Sequence, residues 1–381
     1  MICSGEVYDG EGNIVGRGLH LENGRIVCIS QAKISAAQSD YSGRYIVPGF
    51  VDTHCHGGAG FSFSDNYEPD QIAAAIRVHR LNGTTALIAS LVSLPDPMPQ
   101  IQALLPFCES GELAGIHLEG PYVNPEKCGA QNPHALRNPD LTELRIWLQE
   151  AKGWIKTMTL APELPGAADA ARLLIKYGAR PSWGHTNDTG AATRAALTQI
   201  SDLADSKILQ TVTHLFNAMP PLTHRAPGPV REFIRAAKLG YSWLEIIGDG
   251  VHVDLDLVGD VLEYVDNAYL VTDSAAVTGS EQGEHLLGGL PVELRDGGCY
   301  LTRTETLAGG ASTIADQFRG LSEIDFSRLI RACVSVPANA CGIQNDIGVT
   351  FDFSISSSPN FLILDDERNI LHVFRDSQLV R

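Results

Sequence analysis

The sequence predicts an α/β fold: a (β/α)8 TIM-like barrel with a small β-sandwich domain formed by both termini. Three observations carry this reading. Apolar, β-branched runs alternate with helical stretches through the middle of the chain, and eight such runs can be counted. Both ends carry shorter runs punctuated by glycine, the texture of hairpins. Neither end has enough residues for a good core alone, so the two are expected to share one. A doubly wound open sheet is the competing arrangement of the same alternation.

In chain order, residues 1–45 contain β-like runs over 13–21 and 24–30, and residues 343–381 contain matching runs over 361–365 and 370–374. These two segments are assigned to the small β domain, and residues 46–342 to the barrel. The predicted barrel strands are 45–52, 84–90, 114–119, 155–161, 179–184, 208–213, 244–248 and 269–272. Helical periodicity falls on 69–82, 139–152, 167–177, 189–199, 230–239 and 255–265. Gly83, Gly178 and Gly240 stand where helix C-termini favour a residue free to take a left-handed conformation.

A hydrophobic content of 44% with 19% charged residues describes a globular chain with ample core. No apolar run is long enough to cross a bilayer. The start, Met1-Ile2-Cys3-Ser4-Gly5-Glu6, lacks the basic and apolar regions of a signal peptide. Eight cysteines without a CxxC pair read as reduced thiols, so a cytoplasmic location is expected. A net charge of −17 argues against nucleic acid and anionic membrane as partners. A phosphorylated ligand would need locally placed cations.

The chemistry gathers where the predicted strands end. Thr53-His54-Cys55-His56 puts two imidazoles on one face, because strand side chains alternate. The third run ends in Glu119, the fifth in His185, the sixth in His214 and the eighth in Asp273. Barrel enzymes build their sites at this C-terminal rim. Each residue also has a plain structural reading: Glu119 as a turn carboxylate, Asp273 as a cap, His117 as a core or supporting residue. His20, His79 and His372 are read as structural or surface groups, and His134 is left undecided. Taken together, histidines and Glu119 suit a divalent ion, zinc being expected, as one ion or two, with a position open to water. Bound water would then be acidified to a hydroxide nucleophile, with Asp273 as general acid/base.

Several stretches then resemble the amidohydrolase superfamily and, within it, the N-acetylglucosamine-6-phosphate deacetylase family. They are His117-Leu118-Glu119-Gly120-Pro121-Tyr122, Gly184-His185-Thr186, His214-Leu215-Phe216-Asn217-Ala218-Met219-Pro220, Val271-Thr272-Asp273 and Leu307-Ala308-Gly309. The resemblance covers nearly the whole chain. It implies a metal-dependent deacetylase of N-acetylglucosamine 6-phosphate that releases acetate. Glu119, His185 and His214 match the family's metal ligands, with His54 and His56 able to help hold a second ion. Asn217 and Ala218 match substrate contacts. Arg225 and His252 match groups that bind the sugar phosphate, at least one of them reaching across from a second subunit, so a homodimer with a shared site is implied. Leu307, Ala308 and Gly309 match a loop lining the pocket. In relatives with a carboxylated lysine on the fourth strand, that group bridges two ions. Here Lys156 stands at the wrong end of that run, so Glu119 would be the bridge.

Two features depart from the family or vary within it. The first is that this chain has both histidines of the His-x-His pair, which some members lack. The second is Gly129-Ala130-Gln131-Asn132-Pro133, which carries glutamine where members have a histidine that helps hold the substrate. Ala130 and Gln131 are therefore placed at the substrate, and the galactosamine epimer enters as an alternative. Cys128 beside them is read as an inert loop thiol, with redox sensitivity as the alternative. Rival functions are a cyclic-amide hydrolase, a deaminase, or a non-catalytic sugar-phosphate sensor on the same fold.

Overall fold

The computed structural model describes residues 1–203, 209–281, 283–344, 346, 349, 351 and 353–381. Six strands form one parallel sheet: Phe50–Cys55, Thr84–Leu91, Gly115–Glu119, Ile155–Leu160, Arg180–Trp183 and Thr211–Val212. Leu244–Ile247 and Ala268–Val271 pair as a parallel ribbon. Backbone hydrogen bonds join this ribbon to both edges of the sheet. On one side Leu215 N donates to the Glu245 carbonyl at 2.8 Å, and on the other Asp273 N donates to the His54 carbonyl at 2.8 Å. Eight strands thus close into a ring. The first residue of the predicted 208–213 run lies outside the described residues.

The helices pack outside this ring through apolar faces. Ala167–Lys176 buries Ala167, Ala170, Ala171, Leu173 and Leu174, a stripe at helical spacing. The predicted helix at 139–152 begins at Leu141, because the Asp140 side chain accepts the backbone N–H groups of Thr142 and Glu143 as an N-cap. Further helices at Met98–Glu109, Ile314–Gly320, Phe326–Cys333 and Ser335–Cys341 add to the six read from the sequence.

The run at 45–52 serves two sheets. Tyr41–Pro48 pairs with Phe361–Leu364, while Phe50–Cys55 enters the barrel. Pro48 has no N–H to carry a ladder onward. Gly49 turns where a Cβ would come within 2.1 Å of the Thr85 hydroxyl. Strands from both ends of the chain make one continuous seven-stranded sheet, which has its own core of Val7, Leu19, Ile26, Ile46, Phe361 and Phe374.

A second antiparallel sheet of four strands, from Glu284–Leu287 to Leu307–Gly310, lies over the barrel mouth. Its last strand bridges Ser274 through Gly310, where a Cβ would meet the Thr272 carbonyl at 2.4 Å. The stretch 307–309, expected as a loop, is therefore an edge strand whose glycines allow backbone contact. Asp65 fixes the far turn of this sheet by accepting Gly288 N at 2.7 Å and Gly289 N at 2.6 Å.

The terminal sheet is tied to the barrel by charge. Glu112 accepts hydrogen bonds from Arg80, on helix Pro69–Leu81, and from Arg375, in strand Ile370–Arg375. Partial burial pushes the Glu112 carboxyl up, but the two guanidinium groups outweigh it and hold the carboxyl below its usual range. The stabilisation is then present above that range and lost as pH falls through the lowered value. Glu112→Gln is expected to cost about 1–2 kcal/mol, read as a lower Tm at neutral pH that shrinks at acid pH. An unchanged Tm at neutral pH would remove the clamp from the account.

Candidate active site

The strand-end residues converge at the barrel mouth. Glu119, His185 and His214 are buried, and their ligand atoms lie close together. His185 Nε2 and His214 Nε2 are each 3.0 Å from Glu119 Oε1 and 3.1 Å from one another. Tetrahedral zinc with bonds of about 2.0–2.1 Å sets its ligand atoms about 3.3 Å apart, so this spacing fits a divalent ion. His185 Nδ1 donates to the Lys127 carbonyl at 2.8 Å, which leaves the Nε2 lone pair for the site.

His54, His56 and Asp273 form a second group. His54 Nε2 lies 3.1 Å from His56 Nε2, and Asp273 Oδ1 lies 3.4 and 3.2 Å from the two rings. Glu119 joins the groups. Its Oε1 faces His185 and His214, while its Oε2 lies 3.2 Å from His56 Nε2 and accepts from Gln131 Nε2 at 2.6 Å. The donor set of imidazoles and carboxylates thus fits one divalent ion or two. Lys156 points away at the other end of its strand, 2.7 Å from Asp346 Oδ2.

The electrostatics are those of a compact set of opposite charges. Burial pushes the Glu119 carboxyl up, but hydrogen bonds and charge from His185, His214 and His56 hold it well below its usual range. Burial likewise opposes ionisation of Asp273, while the charge of His54 and the hydrogen bond to His56 bring it below the usual value. For His54, burial alone would favour the neutral ring, yet Asp273 and Glu245 raise it to about 10. Backbone strain gathers at the same residues. His185, His214 and Asp273 all have positive φ, 46°, 27° and 49°, which non-glycine residues adopt at a cost.

These side chains open into a cavity of about 230 Å³. Asn217, Ala218 and His252 line it, as do Ala130, Gln131 and the edge-strand residues Leu307, Ala308 and Gly309. His252 Nδ1 is 2.7 Å from Asp249 Oδ2, and its Nε2 is 3.9 Å from Asp273 Oδ2. Arg225 is elsewhere: it sits in the exposed stretch 221–227 and has no hydrogen bond or ion pair among the described residues. No Lys or Arg lines the cavity among those residues. A wider groove on the terminal sheet contains none of the strand-end groups, and its Arg17 and Arg44 already face Glu6.

Three further histidines have other roles. His117 is buried below the site, with Nδ1 3.0 Å from the Ser90 hydroxyl and Nε2 2.8 Å from that of Thr159. Burial, together with the charge of His54, takes it well below its usual range, so it is a neutral support. His134 is exposed. His79 forms a third cluster with Asp52 and Cys55, but its Nε2 is engaged 2.8 Å from the Gly57 carbonyl and Asp52 binds Thr272 at 2.6 Å, so these atoms fasten the fold. Cys128 is half-buried and does not line the cavity.

One participant escaped the sequence reading. Glu245, buried on the seventh strand, holds Oε2 3.2 Å from His54 Nδ1 and Oε1 3.1 Å from the Tyr269 hydroxyl. A carboxylate inside the apolar run Leu244-Glu245-Ile246-Ile247 was the available signal.

The amidohydrolase family pattern matches residues 45–221. The N-acetylglucosamine-6-phosphate deacetylase of Bacillus subtilis (strain 168) is 32% identical over 292 residues, 73% of this chain and 70% of that protein. The N-acetylgalactosamine-6-phosphate deacetylase of Escherichia coli O157:H7 is 28% identical, covering 87% of this chain and 86% of its own length. Among solved structures, a mutant N-acetyl-D-glucosamine-6-phosphate deacetylase of Mycobacterium smegmatis, in complex with N-acetyl-D-glucosamine-6-phosphate, superposes with a TM-score of 0.87 at 31% identity, covering 100% of this chain and 99% of that one.

Proposed function

Since the chain belongs to the N-acetylglucosamine-6-phosphate deacetylase family of amidohydrolases, we propose that it hydrolyses the acetamide of N-acetylglucosamine 6-phosphate to acetate and glucosamine 6-phosphate. The convergence of Glu119, His185 and His214 beside Asp273, at the floor of a sugar-sized cavity, carries the reading.

Glu119, His185 and His214 would hold a divalent ion, with His54 and His56 available to a second, and a bound ion would supply Lewis-acid polarisation of the amide carbonyl and of water. Zinc suits these nitrogen and oxygen donors. Asp273 does the proton work. Its Oδ1 faces His54 and His56, while its Oδ2 is on the His252 side of the cavity. Oδ2 takes a proton from the attacking water and returns it to the departing nitrogen. Glu119 is not free for that step, because both its oxygens are engaged. Asn217 and His252 orient the sugar, and the edge strand 307–309 closes over it.

The phosphate needs a cation, and among the described residues no Lys or Arg lines the cavity. We assign that role to Arg225 of a second copy, its exposed loop entering the neighbouring cavity of a homodimer and binding phosphate in a bidentate manner. Arg225→Ala is expected to raise KM for the phosphorylated sugar by about 100-fold, while kcat changes little. An unaltered KM would take Arg225 out of the site. The eight free thiols support a reducing, cytoplasmic setting.

Acetate release by metal-replete protein tests the function. The panel is N-acetylglucosamine 6-phosphate, its galactosamine epimer and both unphosphorylated sugars. Release from the glucosamine phosphate alone is expected. Preference for the epimer would move the assignment to the activity named for the Escherichia coli relative, and reaction with none would leave a different amidohydrolase chemistry.

A further inference from the structure

We infer that Gln131 is a positioning residue for Glu119, holding the carboxylate that the two histidine groups share, so that its effect on the reaction runs through metal binding and not through the sugar. This rests on the reading above only in requiring that the site bind a metal.

The orientation of the Gln131 amide is settled by its neighbours. Its Oε1 accepts from the backbone N–H of Ser93 at 2.6 Å, and a backbone N–H can only donate. The NH2 end is therefore the one that faces Glu119, donating to Oε2 at 2.6 Å. Gln131 is 4% exposed, so turning its amide toward a ligand would strand both a buried N–H and a buried carboxylate oxygen. Ser93 completes the grip: its hydroxyl donates to the Glu119 backbone carbonyl at 3.2 Å. The pair thus holds Glu119 by main chain and side chain at once. Gly120, at φ 85°, makes this possible, because a Cβ there would come 2.2 Å from the Ser93 hydroxyl.

The oxygen that Gln131 holds is also the one nearest His56, at 3.2 Å, whereas the other oxygen serves His185 and His214. Gln131 therefore acts on the side of Glu119 that reaches toward the first-strand histidines. A glutamine does this as a neutral donor at any pH, which the histidine of the family pattern would not.

The test is a metal titration of the full-length, metal-stripped protein with Zn²⁺ against a competing chelator, without any sugar present. Gln131→Met keeps the volume and removes both hydrogen bonds. It is expected to weaken at least one metal equivalent by about 10–100-fold, the range for losing a partner of a metal ligand. At saturating Zn²⁺, its KM for N-acetylglucosamine 6-phosphate is expected to stay within about threefold of wild type. Gln131→His, which keeps one donor and one acceptor, is expected to recover part of the affinity. If Gln131→Met does not fold, Gln131→Asn, too short to span Ser93 and Glu119, is judged by the same two readings. Unchanged Zn²⁺ affinity with a raised KM would overturn the inference and make Gln131 a substrate contact. Because affinity is read without substrate, a wild-type protein that binds Zn²⁺ but hydrolyses no sugar on the panel would overturn the proposed function alone.

Discussion

Asp273→Asn is expected to lower kcat by about 10²–10⁴-fold, the contribution of a positioned general acid/base, while the protein keeps its fold and the ion at Glu119, His185 and His214. The substitution preserves shape. Asp273 N still donates to the His54 carbonyl and its own carbonyl still accepts from Gly310, so the positive φ survives in a residue type that tolerates it. What disappears is the oxygen that accepts and returns a proton. Other groups nearby are ill suited to replace it: both oxygens of Glu119 are engaged, His252 Nδ1 is committed to Asp249, and His117 is sealed beneath the site. Single-turnover acetate release with metal content measured on the same sample checks this. A variant within tenfold of wild type would move the proton transfer to another residue.

Glu119→Gln is expected to weaken metal binding by more than about 100-fold and to take turnover with it. The carboxylate serves His185 and His214 with one oxygen and His56 and Gln131 with the other. An amide has only one oxygen. If its NH2 turns toward Gln131, two donors face each other; if it turns toward His185 and His214, it occupies the space an ion needs. Elemental analysis and Tm with and without added Zn²⁺ report the effect. The expected result is an apo protein whose Tm no longer responds to Zn²⁺. Full metal occupancy with near-normal kcat would contradict the role of Glu119.

The metal-capable residues could be read from sequence because a barrel turns chain position into spatial position. Whatever ends a strand arrives at the same rim, so His54, His56, Glu119, His185, His214 and Asp273 could be grouped without any distance being known. Support from beneath the rim is less visible. Glu245 reaches His54 from the seventh strand, and only its oddness in an apolar run hinted at it. The Ser93–Gln131–Glu119 chain links the loops after the second and third barrel strands to the last residue of the third, and no spacing rule connects them. The four-stranded sheet over the mouth also passed unread, since its strands are short and half exposed and carry no continuous apolar run. At 45–52 one apolar run concealed two strands, because Pro48-Gly49 breaks the ladder without breaking the hydrophobic pattern.

The sheet assembled from both ends of the chain has a consequence for biosynthesis. Tyr41–Pro48 pairs on one side with Ile2–Tyr8 but on the other with Phe361–Leu364. The second partner leaves the ribosome about 300 residues later, which at bacterial to eukaryotic elongation rates is roughly 15–60 s. Until then Tyr41–Pro48 lacks its Phe361–Leu364 partner, and an unpaired β edge is a template for pairing with another chain. The wait ends when Phe361–Leu364 emerges, so a substitution that weakens this last strand would raise aggregation during synthesis more than it lowers the stability of the finished protein.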